Sequence, residues 1–194
     1  MGLLVMILGL VVFFGVHTLT TQRELRARTI ASIGEGGYKV GYALASIIGL
    51  ALIVWGFAQY RATGMWEIWT PPRALKHLTE ALMLPAVILV VAAYIRGRIY
   101  TAVKHPMLTG VKLWAAAHLL ANGDLGSIIL FGSFLAWAVF DRISLKRRTD
   151  PGAPPIPVGG PGNDLIAVAV GIVAYLALGF AFHPVVIGVP VFGA

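Results

Sequence analysis

Apolar positions run along this chain in six long blocks, roughly 2–18, 39–59, 78–95, 107–122, 125–141 and 164–182. Several reach the ~20 residues that a bilayer crossing requires, and the fourth is short. None shows the ten-residue apolar/polar alternation of a membrane barrel strand. In hydrocarbon a backbone must satisfy its own polar groups, which a single strand cannot do, so the blocks are expected to be helices. The pattern predicts an all-α, polytopic membrane bundle of about six transmembrane helices. One domain, 1–194, fills the chain.

The polar punctuation fits this division. "PP" at 71–72 is expected to stop any helix continuing from the second span. "ANGDLG" at 121–126 reads as a turn, with Asn122-Gly123 ending one helix and Asp124 capping the next. The stretch 142–163 is a linker, and its Pro- and Gly-rich part, "DPGAPPIPVGGPGND", predicts irregular backbone. The first block, "MGLLVMILGLVVFFGVH", has no basic residues before it and no small-residue cleavage site, so a retained first span is expected.

Charge sets the orientation. Only 12% of the residues are charged, against 58% hydrophobic, where a soluble domain carries roughly a quarter charged residues. The loops at 19–39, 95–106 and 142–163 hold Arg23, Arg26, Arg28, Lys39, Arg96, Arg98, Lys104, Arg142, Lys146, Arg147 and Arg148. The opposite loops hold only Arg61, Arg73 and Lys76, so eleven basic residues face three. By the positive-inside rule the first set is cytoplasmic and both termini are periplasmic. Trp66 and Trp69 fall in an outer loop, at headgroup level. The net charge of +7 forms no basic stripe, so no nucleic-acid partner is expected, only the lipid bilayer. With no cysteine, the chain has neither a disulfide nor a thiolate ligand.

The chemistry lies in the fourth block, "KHPMLTGVKLWAAAHLLANGD", which carries His105, Lys112 and His118. An ionisable residue at mid-membrane costs on the order of 2.5–3.5 kcal/mol on insertion scales. Such residues persist where they face an interior and find partners. On an ideal helix His105 and Lys112 share a face, and His118 points roughly 140° away from His105. His17 closes the first block and His183 the sixth, while His77 reads as a solvated interfacial residue. Imidazole is a common ligand for transition metals and haem iron, and two from different helices can clamp a haem. Lys112, Arg96, Arg98 and Lys104 suit its propionates. The plainer alternative keeps His17 and His105 as interface markers and gives His118 a backbone carbonyl. "HPMLTGVKL" and "HPVVIGVPV" share H-P-x-x-x-G-V-x-aliphatic, which is expected to mark two similar helix-edge turns. No metalloprotease, nucleophile-elbow, P-loop or dinucleotide motif occurs, and the acids form no paired-carboxylate arrangement.

The segment "HPMLTGVKLWAAAHLLANGDLGSIILFGSFLAWAVFDRISLKRR" (105–148), with "FFGVH" at 13–17, resembles the NnrU family of bacterial membrane proteins over nearly the whole chain. That resemblance implies a multi-pass protein of the bacterial inner membrane, associated with nitrite and nitric oxide metabolism in denitrification. Denitrification reductases are its implied candidate partners. The family is similar to the plant and cyanobacterial cis-ζ-carotene isomerases, which use haem b. Their first-span histidine and the histidine of a W-x-x-x-H segment are implicated in holding the iron. Here these correspond to His17 and His118, with His105 as the alternative partner. The isomerases have a cysteine just after that tryptophan. This chain has Ala115, so a switch from imidazole to thiolate has no residue to use. Depth sets a second condition, because ligands of one iron lie at one membrane level. The predicted topology puts His17 near the cytoplasmic face and His118 nearer the outer one.

Two other readings follow from the residues. "KHPMLTG" is similar to the R-H-P-x-Y-x-G signature of membrane-embedded S-adenosylmethionine-dependent methyltransferases, but departs from it at Lys104 and Leu108. The later Glu and Tyr of those enzymes are missing from "DRISLKRRTDPG". The other alternative is a non-enzymatic assembly or transport factor for denitrification reductases.

Overall fold

The structure is a computed structural model, and it describes residues 1–148 and 156–192. It is all-helical, with no strand among the described residues. Its helices are α1 (Gly2–Leu19), α2 (Arg23–Ala62), α3 (Arg73–Ala92), α4 (Arg98–Val103), α5 (Pro106–Ala121), α6 (Leu125–Lys146) and α7 (Pro161–Ala177). A π-helical segment, Leu178–Ile187, continues directly from α7. Among the described residues, five stretches are long and apolar enough to cross a membrane: α1, α2, α3, α6 and Pro161–Ile187. With 16 residues, α5 rises about 24 Å, short of the ~30 Å hydrocarbon core.

Contacts group the chain into two compact units. Unit 1 comprises Met1–Thr70 and Gly123–Arg147. Unit 2 comprises Pro71–Asn122 and the described residues from Arg148 onward.

Unit 1 is built on the pairing of α1 with α2, its most extensive interface. Glycines seven residues apart on both helices make it close: Gly2 and Gly9 on α1, Gly49 and Gly56 on α2. A Cβ on Gly9 would stand 2.6 Å from the Ile53 backbone nitrogen, and one on Gly56 would fall on the Met6 backbone. With no hydrophobic drive between helices in lipid, backbone approach of this kind supplies the van der Waals energy. Met6 and Leu10 of α1 and Ile53 and Tyr60 of α2 are buried in the seam.

The cytoplasmic loop expected at 19–39 is instead helical from Arg23. Helical spacing pairs Glu24 with Arg28 and Glu35 with Lys39, so a polar segment is not an irregular one. The helix breaks at Gly34, whose φ of 75° and ψ of 162° suit only glycine. At the other end α2 stops at Ala62, before the two prolines, and Pro72 serves as the residue leading into α3. Residues 63–70 are tied to the start of α6 by backbone bonds. Ile68 and Trp69 N–H groups donate to Gly123 O, and Leu125 N–H donates to Trp66 O. Asp124 caps α6 as expected, its Oδ1 accepting from Ser127 N–H at 2.9 Å. Asn122 ends α5 in an extended conformation, without the left-handed residue that an Asn-Gly pair suggests.

In unit 2, α3 packs against both α5 and α7. Pro85 lies on the exposed side of α3, while Ala86 is buried where Gly110 of α5 approaches its carbonyl. Two polar bonds cross these faces: Thr79 Oγ1 donates to Ala117 O at 2.7 Å, and Tyr175 OH donates to Glu80 O at 3.1 Å. Short helix α4, within the loop expected at 95–106, is closed off by Asp164 of α7. Its two carboxylate oxygens accept from Arg98 and Ile99 N–H groups, both at 2.9 Å. Part of the irregular linker expected at 150–164 lies outside the described residues. Of the rest, 156–160 is irregular and α7 begins at Pro161.

Candidate functional site: the intramembrane histidines

Three imidazoles sit within apolar helices and share one local geometry. His17 Nδ1 lies 2.7 Å from Phe13 O, His118 Nδ1 2.9 Å from Trp114 O, and His183 Nδ1 2.9 Å from Leu178 O. A carbonyl only accepts, so in each ring Nδ1 carries a proton. Holding one ring nitrogen on a carbonyl is also how ligating histidines are oriented.

In unit 1, His17 is packed by rings from three helices. Phe13, one turn back on α1, stacks on it with centres 4.0 Å apart. Tyr42 of α2 approaches to 5.2 Å and Trp137 of α6 stands edge-on at 5.5 Å. Phe14 and Phe134 extend the cluster. Two buried polar atoms here have no hydrogen-bond partner among the described residues: Tyr38 OH and Trp137 Nε1. A buried, unmade hydrogen bond costs about 1–3 kcal/mol, so such atoms call for a polar guest or water. Tyr38 left a signal in the sequence, since it recurs with Tyr42 and Ser46 every four residues along one face of α2.

In unit 2, His118 lies on α5 with Trp114 one turn away at 5.2 Å. His183 of the π-helical segment also stacks near it, with ring centres 6.3 Å apart and planes 26° from parallel. The sequence gives no cue to this meeting, because His183 reads as a helix-edge residue like the histidine of "KHPMLTG".

His105 departs from its expected place. It precedes α5 as the N-cap residue, with φ −135° and ψ 64°, so it shares no helical face with Lys112. Its carbonyl accepts from both N–H and Oγ1 of Thr109. Thirteen residues separate it from His118, a rise of about 20 Å along α5, so these two cannot bind one metal ion. Just before it, Lys104 adopts a positive φ of 64° and His105 N–H donates to Val103 O. That tight three-residue turn aims the chain into Pro106 at the helix start. Lys112 is half-buried on α5. Arg96 Nη1 is held by Ile156 O at 3.2 Å and its guanidinium lies over Tyr100, leaving Arg98, Lys104 and Lys112 as the basic groups for an anion. His77 is exposed, 3.6 Å from Glu80.

Among the described residues no three His, Cys, Asp or Glu side chains converge as a metal-binding group. A bare ion would need three or four protein donors. Haem differs, because its macrocycle supplies the in-plane nitrogens and asks the protein only for axial ligands. Imidazoles oriented through Nδ1 are the side chain type that meets this requirement.

These features define an all-α, multi-pass membrane protein whose apolar helices carry imidazoles oriented by backbone carbonyls. The chain matches the family model described as NnrU protein over residues 5–191, and it belongs to the NnrU family. No curated protein and no solved structure matches it.

Proposed function

We propose that this NnrU family member is a bacterial inner-membrane protein that binds haem b through intramembrane histidines and serves nitrite and nitric oxide metabolism in denitrification. One observation supports the haem reading: His17, His118 and His183 each donate Nδ1–H to a carbonyl of their own helix, which fixes the orientation of the ring as in ligating histidines. His17 and His118 are the ligands suggested by the resemblance to the carotene isomerases, and Lys112 is the propionate partner. Haem would supply a redox-active iron. The chain would hold it, set its axial field and exclude water with apolar and aromatic walls. The link to denitrification rests on family membership. Six crossings with both termini periplasmic complete the reading, α5 being the short one, in accord with eleven basic residues against three in alternate loops.

The test is an optical spectrum of detergent-purified protein expressed with ample haem. A Soret band in stoichiometric yield is expected, weakened or shifted in His118→Ala. A colourless, well-folded protein would reject haem binding.

A further inference from the structure

We infer that residues 23–33 form a hinged lid over the aromatic cluster around His17, latched by the Arg26 guanidinium on the ring of Tyr38. Such a device works whether or not haem is bound, and it lies wholly within unit 1.

The latch itself demands a bend. Arg26 and Tyr38 belong to one helix, α2, and stand twelve residues apart. In an unbroken helix that spacing is about 18 Å of axial rise, more than the two side chains can cover. Yet the Arg26 guanidinium lies over the Tyr38 ring, 5.3 Å from its centre. The bend falls at Gly34, where φ 75° and ψ 162° leave the helical region for one open almost to glycine alone. A Cβ at Gly34 would meet nothing within 4 Å, so no packing fixes the angle and the backbone there is a free hinge. Beyond the hinge the segment is held as helix. Arg28 pairs with Glu24, and Thr29 Oγ1 donates to Leu25 O at 2.8 Å.

The His17 cluster lies behind the latch. Tyr38 is 7% exposed, although Gly37 and Lys39 on either side of it are exposed. Its ring stands 6.3 Å from Tyr42, which in turn stands 5.2 Å from His17. In this position the Tyr38 hydroxyl has no hydrogen-bond partner among the described residues. Closure thus has opposed terms. The arginine–ring contact favours it, and a hydroxyl stripped of water resists it, the two being of one order in free energy. Such a balance keeps both states accessible, and opening wets Tyr38 and the rings that lead to His17.

Spin labels on the full-length, otherwise cysteine-free chain read the hinge angle. Ala27→Cys marks the lid and Leu44→Cys the span, and both positions are exposed. An unbroken helix would hold them about 25 Å apart along its axis. Pulsed electron paramagnetic resonance in detergent should give a shorter main distance in this double-cysteine parent, with monodispersity by gel filtration as the folding control. Arg26→Ala should raise the long-distance fraction severalfold, and Arg26→Lys, which keeps a cation for the ring, should raise it less. Tyr38→Phe should lower that fraction below the parent's, because the ring stays and the unpaired hydroxyl goes. Gly34→Ala, which adds no clash, should move the distribution to the unbroken-helix distance. A parent peak already at that distance overturns the lid. So do distributions that are alike in the parent, Arg26→Ala and Tyr38→Phe.

Discussion

At the residue scale, single polar contacts inside the apolar helices have separable effects. Asp124 is 8% exposed, and its carboxylate satisfies the Ser127 N–H at the start of α6. Asp124→Ala should cost about 1 kcal/mol in detergent unfolding, and Asp124→Asn much less, because an amide oxygen also caps. Thr79 Oγ1 is shared between Leu75 O and Ala117 O, and only the second bond joins two helices. Hydrogen bonds between membrane helices average about 0.6 kcal/mol, so Thr79→Val should lower stability by roughly that amount. A loss above about 2 kcal/mol would mean that packing, not the bond, fails there. Glu35 offers a contrast. The Lys39 ammonium at 2.8 Å holds its carboxyl below the ordinary carboxylate range. A depressed carboxyl contributes stability above its unfolded pKa and loses it as pH falls through the folded one. This pair is exposed, so Lys39→Ala should leave the unfolding midpoint unchanged at neutral pH.

Among the elements, the α1–α2 seam is the most sensitive to side-chain volume. Gly9 and Gly56 bring backbones together where no side chain fits, and Gly49 admits Phe13, whose backbone nitrogen a Cβ would approach to 2.8 Å. Gly56→Ala should therefore destabilise unit 1 by about 1–3 kcal/mol, the usual range for overpacking. Gly41→Ala, in open space on the same helix, should be silent. Thermal unfolding of both variants in one detergent checks this, and equal midpoints would refute the seam. The sequence made the helices legible because a bilayer leaves no other backbone solution, and it placed the Asp124 cap for the same local reason. It hid what depends on partners. Seven-residue glycine spacing is visible only once Gly2, Gly9, Gly49 and Gly56 are known to face one another. The polar stretch from Arg23 reads as a loop to a hydropathy scale, although its Glu–Arg and Glu–Lys spacings are helical. His118 was legible as costly in lipid, but its neighbour was not. That neighbour depends on a π-helical turn which Pro184 permits and no periodicity announces.

For the whole molecule, the deciding question is how many times the chain crosses the bilayer, since that places every histidine at a depth. Five stretches have the length to cross, and α5, at 16 residues, does not reach it by composition and length alone. If α5 nevertheless crosses, there are six spans, and the basic residues of alternate loops fall on one side. If it does not, the termini part company and the eleven-to-three charge bias loses its meaning. The chain has no cysteine, so introduced thiols report without background. Arg28→Cys and Lys104→Cys should resist a membrane-impermeant maleimide in intact spheroplasts and react only after lysis. Met65→Cys and Asn122→Cys, on the opposite side, should react before it. Lys104 and Asn122 bracket α5, so their contrast isolates this helix from the rest. Labelling of both from one side would make α5 a re-entrant helix.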